Sequence, residues 1–206
     1  MEENEEQAIS DQIGKQLHTN RLLKIGEILL VFIPAFAFIR LMNPLVGENL
    51  ILKQAVVWIA NILMLIIVWV GLKLRGESWN NFGLTFKSIS WREGTKVFLL
   101  SLLVFVLAVA GFIIGSIIMA NITGIPESAN MSGYDYLKDN IGMLILTLGG
   151  VYIVSSFGEE VIYRAFLISR ISELGQETKK ATVIAVVLSA IIFGLVHYEW
   201  GPMGIV

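Results

Sequence analysis

The sequence predicts an all-α, polytopic integral membrane bundle with at least five transmembrane helices. Three observations carry that prediction. Hydrophobic residues make up 55% of the 206-residue chain and charged residues 16%, against about 25% charged in an ordinary soluble domain. The chain contains five apolar runs of about 18 residues or more, long enough to cross a bilayer. Its lysines and arginines are sorted between alternate loops. With a mean hydropathy of +0.73, a soluble fold of this size could not hide its apolar surface. Soluble enzymes, disordered chains and nucleic-acid-binding domains are thereby excluded. With no cysteine, disulfides, thiolate metal sites and cysteine nucleophiles are excluded as well. The net charge of −2 is too small to indicate a partner.

The elements follow in order. Residues 1–20 form a polar, surface-lying tail, and residues 21–206 form the transmembrane domain. The start, Met1-Glu2-Glu3-Asn4-Glu5-Glu6, is acidic, whereas a secretory leader opens on a basic region, so no cleaved leader is expected. The apolar runs place spans at about 25–42, 51–72 and 97–120, a fourth from about 141, and a fifth at about 181–197. The segment 73–96 alternates charges with Trp79, Phe82, Leu84, Phe86 and Trp91, as an interfacial segment does. The loop 121–140 is rich in turn formers. If the spans alternate, twelve of the fifteen lysines and arginines fall on the side of the N-terminus. The opposite side keeps Arg40, Lys53 and Lys138. The positive-inside rule makes the N-terminal side cytoplasmic.

The costly residues lie in Ser155-Ser156-Phe157-Gly158-Glu159-Glu160-Val161-Ile162-Tyr163-Arg164. This stretch continues the fourth apolar run with no proline or polar break, although Gly149-Gly150 could bend it. If the helix reaches Ser172, both acids lie about 20 Å from its end, inside the bilayer. Each charge there costs at least ~2.5–3.5 kcal/mol, so such residues are functional candidates. Glu160 and Arg164 share a face at i and i+4 and neutralise one another. Glu159 is rotated by about one hundred degrees, and its own i+4 neighbour is Tyr163, a phenol without charge. An acid in hydrocarbon with no cation on its own face is a candidate general base. A purely structural ion network is the simpler alternative, but two adjacent acids exceed what one arginine needs. Glu27, following Lys24 at the entry to the first span, reads as an interfacial acid.

Near the end of the fifth span comes Phe193-Gly194-Leu195-Val196-His197. Phe193 and His197 share a face, extended by Ser189, while Ala190 and Gly194 form a small-x-x-x-small pair that admits a close neighbour. Taken alone, His197 reads equally as an interfacial residue beside Tyr198 and Trp200. Gly175 is suited to cap the fourth span. In an ideal hairpin about it Glu159 faces the region of Ile191, about 9 Å short of His197. Gly111 and Gly115 in the third span read as helix-packing positions.

Glu-Glu-x-x-x-Arg followed by an intramembrane Phe-x-x-x-His resembles the CPBP family, the CAAX proteases and bacteriocin-processing proteins. That family is also called Abi or CAAX protease self-immunity, and its eukaryotic relative is the type II CAAX prenyl endopeptidase. The family pattern continues with a His-x-x-x-Asn or Asp element that is absent before Val206, so the chain reads either as a C-terminally truncated fragment, the favoured reading, or as a shortened member that does not cleave peptides. The resemblance implies a glutamate-dependent intramembrane endopeptidase in a bacterial plasma membrane, acting on a peptide or protein substrate at the bilayer. Glu159 would activate water, Glu160 would assist, His197 would orient the water or stabilise the intermediate, and Arg164 would hold the acids. Phe193 and Tyr163 would support them. No cofactor and no metal ligand are assigned. Two carboxylates and one histidine would make an incomplete zinc site, which normally has three protein ligands, so a divalent metal stays open. Two other classes of function compete: a non-catalytic bacteriocin-immunity or scaffold protein, and a proton-coupled carrier. The single polar cluster and the lack of an inverted repeat weigh against the carrier.

Overall fold

Each of five long helices begins on a side chain that caps it. The structure, a computed structural model, describes residues 12–85, 87–125 and 132–206. Helix α1 spans Arg21–Val46, and the Asn20 side chain accepts from the backbone N–H of Leu22. In α2, Leu50–Leu74, Asn49 accepts from Leu52. Ser90 and Glu93 bond reciprocally at the start of α3, Trp91–Thr123. Asn140 caps α4, Ile141–Leu174, and Thr178 accepts from Ala181 at the start of α5, Lys179–Val196. These caps satisfy N–H groups that a helix end leaves without partners. The five helices are long and apolar enough to cross a membrane, and they contain the five expected spans. No strand occurs among the described residues.

The described residues fall into two compact units, drawn from 1–84 with 131–189 and from 85–130 with 190–206. In the first, α1 and α2 form an antiparallel hairpin across a short turn in which Gly47 adopts φ +59°, a conformation natural to glycine. Their shared core is Val31, Phe32, Ala35, Val56, Ala60, Met64, Val68 and Leu72, and α4 adds Val161, Ile162, Tyr163, Phe166 and Leu167. The Tyr163 ring tilts against Phe32, with centroids 5.4 Å apart. Residues 12–19, expected as part of a polar tail, are helical, and Gly14 lies against the backbone of Leu74 and Arg75.

One expectation is met and one is corrected here. Gly175 caps the C-terminal end of α4, its N–H on the carbonyl of Ser172, and the left-handed residues of the turn are Gln176 and Glu177, at φ +58° and +54°. Glu27 is not an interfacial acid. It is buried and accepts hydrogen bonds from Arg75 and Arg170, because α1, α2 and α4 meet at that level and exclude water.

In the second unit, the packing role expected of Gly115 is met by Val206, whose side chain lies where a β-carbon on Gly115 would stand. Gly194 admits the backbone and side chain of Ile205 in the same way.

Candidate active site

Helix α4 carries the acids, and it is continuous, as the unbroken apolar run predicts. It is not uniformly α-helical. Gly150–Phe157 and Glu160–Leu167 wind as π-helix, with Gly158 and Glu159 between them. Wide i→i+5 turns are rare and concentrate at functional sites. Glu159 stands 15 residues before Leu174, about 20 Å from that end.

The two acids have different surroundings. Glu160 keeps its i+4 partner, with Oε1 3.5 Å from Arg164 Nη1, and the two side chains are 61% and 42% exposed. Glu159 is half-buried on the side of α4 that meets α2. There Asn61, a residue the sequence analysis did not single out, donates from Nδ2 to Glu159 Oε1 at 3.4 Å. The signal for it was present, since Asn61 is the only amide or ionisable side chain between Ala55 and Leu72.

The lack of a side chain at Gly150 of α4 lets the two helices approach. A β-carbon on Gly150 would overlap the indole of Trp58, and one on Gly158 would come 3.4 Å from Leu65 Cδ1. Contacts advance along both helices in the same sense, so α2 and α4 run parallel here. Helical side chains tilt toward their own N-terminus, which carries the Glu159 carboxylate back from the level of Leu65 to that of Asn61. One turn before Asn61, the buried Trp58 Nε1–H has no acceptor among the described residues.

Tyr163 is buried between α1 and α4, and its backbone carbonyl accepts from Ser189 Oγ of α5 at 2.5 Å. The contact joins α4 to α5 four residues beyond Glu159.

In the second unit, the Phe193 and His197 rings lie 4.4 Å apart, tilted by 51°. The shared face expected for them is present. His197 Nδ1 is 2.7 Å from the carbonyl of Phe193. A carbonyl oxygen only accepts, so Nδ1 carries a proton in this contact. Among the described residues no three His, Asp or Glu side chains converge in a way that could hold a metal ion.

The fold and these residues define a polytopic helical membrane protein with an acidic pair deep in one span. Residues 141–206 match the family model described as type II CAAX prenyl endopeptidase Rce1-like. Glu159, Glu160, Arg164, Phe193 and His197 all lie within the matched segment, and the match agrees with the family resemblance read from the motifs. No curated protein and no solved structure matches the chain.

Proposed function

We propose that the chain is the membrane domain of a glutamate-dependent CAAX-type intramembrane endopeptidase. Glu159 acts as the general base. It takes a proton from water as the water oxygen attacks the carbonyl carbon of the scissile peptide bond. The tetrahedral intermediate then collapses with cleavage of the C–N bond. The proton passes from Glu159 to the leaving nitrogen, giving a carboxylate and an amine. Glu160, tied to Arg164, sets the charge balance beside Glu159, and His197 takes the role of orienting the water or stabilising the intermediate. Binding and precise orientation supply much of the rate in such a reaction.

The observation that carries this reading is the Glu159 carboxylate itself. It is half-buried about 20 Å from the end of a span, within the segment that matches a CAAX prenyl endopeptidase model. An acid is expensive there unless it has work to do. The test is cleavage of a prenylated CAAX-type peptide by the protein in proteoliposomes. Glu159→Gln is expected to abolish cleavage while the protein stays folded in the membrane. Retained cleavage in that variant overturns the role given to Glu159.

We further place the N-terminus of α1 on the cytoplasmic side. Lys24, Arg75 and Arg170 are tied up in ion pairs, but Lys15, Arg21, Lys73, Lys87, Arg92, Lys96, Lys179 and Lys180 still bias that side. Single cysteines introduced into this cysteine-free chain report it. A cysteine at position 21 should react with a membrane-impermeant maleimide only after the cytoplasmic face is opened. Labelling in intact cells reverses the orientation.

A further inference from the structure

Asn61 stands midway along α2, eleven residues from one end and thirteen from the other, and is 5% exposed. A primary amide at this depth is unfavourable unless it is hydrogen-bonded. A leucine would satisfy a packing role at that position without a polar cost. Polar groups inside spans accordingly mark functional sites by default. The neighbours of Asn61 are arranged to let its amide reach α4, since the indole of Trp58 occupies the place that a side chain on Gly150 would take. The bond to Glu159 Oε1, at 3.4 Å, is long. Catalytic hydrogen bonds are often long in the resting enzyme and tighten when substrate is bound.

We propose that Asn61 is a positioning residue for Glu159. Its amide N–H holds Oε1 and fixes the rotamer of the carboxylate, so that the remaining lone pairs face the water to be deprotonated. The chemistry of the amide suits this task. A lysine or arginine in its place would stabilise the carboxylate by charge and weaken it as a base. An amide orients the carboxylate and neither takes nor gives the proton that moves from water to Glu159. The inference rests on the reading of Glu159 as general base, and it adds a residue of α2, outside the matched segment, to the site.

Two readouts on the full chain in proteoliposomes test it. The first is infrared difference spectroscopy, with the carboxyl band of Glu159 assigned from its loss in Glu159→Gln. Asn61→Leu, which cannot donate, should shift that band, and Asn61→Gln, which keeps the amide, should restore it at least in part. The second is cleavage of a prenylated CAAX-type peptide. Asn61→Leu should lower kcat by about 10–100-fold, the scale of a small misplacement of a reacting group. KM should stay within about twofold, because Asn61 acts on Glu159 and not on the bound substrate, so its loss falls on the chemical step. Partial recovery of kcat is expected in Asn61→Gln. If Asn61→Leu does not fold, the smaller Asn61→Ala, which likewise cannot donate, makes the same decision. An unmoved Glu159 band, or an unchanged kcat, in a folded variant overturns the proposal. Failure of the unmodified protein to cleave the peptide overturns the catalytic reading instead, and the spectroscopic arm still decides whether Asn61 holds Glu159.

Discussion

Arg170 and Glu77 meet in a two-pronged ion pair, Nη2 to Oε2 at 2.6 Å and Nη1 to Oε1 at 3.4 Å, between the end of α4 and the segment after α2. Arg170 is fully buried, and its guanidinium also reaches Glu27 of α1 and Glu173 of α4 while lying over the rings of Phe82 and Phe166. Arg75 bonds Glu27 and Glu173, and also the backbone carbonyl of Leu17. With Lys24 on Glu173, three cations face three carboxylates. The network ties three spans to residues 12–19 at one end of the first unit. Arg170→Met should destabilise the protein by about 3–5 kcal/mol, because it strands buried carboxylates. Arg170→Lys should recover only part of the loss, since an ammonium cannot reproduce the planar two-pronged geometry. Thermal unfolding in detergent measures both, and a melting temperature unchanged in Arg170→Met contradicts the account.

Gly71 supports the same network. A β-carbon there would come 2.9 Å from Glu27 Oε1, so Gly71→Ala must push the carboxylate off Arg75 and Arg170. The expected cost is about 1–3 kcal/mol, typical of overpacking. Glu27→Gln combined with Gly71→Ala should be less destabilising than the sum of the two single changes, because both disturb one contact. A double-mutant cycle on unfolding temperatures reads this, and strict additivity would show that Gly71 and Glu27 do not communicate.

What the sequence made legible follows from how far its rules reach. Hydropathy over a window of about 18 residues found all five spans, and helical spacing found Glu160 with Arg164 and Phe193 with His197. Those partners stand four residues apart. Glu27 lies 48 residues from Arg75 and 143 from Arg170, so no periodicity links them. Each was legible only as a charge near a span end. Asn61 was missed for the same reason, with its partner 98 residues away. Its isolation within an apolar run was a usable clue. The π-helical winding of α4 has no hydropathy period of its own, and the one hint of irregularity was the Gly149-Gly150 pair at which its first stretch begins.

The contact between Trp58 and Gly150 sets how closely α2 approaches α4, and hence whether Asn61 reaches Glu159. Gly150→Ala should cost about 1–3 kcal/mol and part the helices, because a close-packed interior cannot absorb an extra methyl against an indole. Trp58→Leu in the Gly150→Ala background should restore much of that stability by vacating the space. If the cleavage reading is right, the peptide-cleaving activity lost in Gly150→Ala should return with the stability. Gly150→Ala at full stability would show that the close approach is not required.

The pair Glu160–Arg164 separates a structural ion pair from an acid that shares in the chemistry. Both groups are more exposed than Glu159 and lie deep in a span, so removing either takes the i+4 counter-charge from the other. Glu160→Gln should therefore lower stability, by at most the ~2.5–3.5 kcal/mol scale of a charge at such depth. The exchange Glu160→Arg with Arg164→Glu keeps one acid and one base at the same spacing. It should restore most of the stability, short by a few tenths of a kcal/mol for the less favourable order along the helix. Cleavage should not return with it, because the exchange sets a cation next to Glu159 in place of the second carboxylate. Recovery of both stability and cleavage in the exchanged protein would reduce Glu160 to one half of a structural pair and leave Glu159 to act without it.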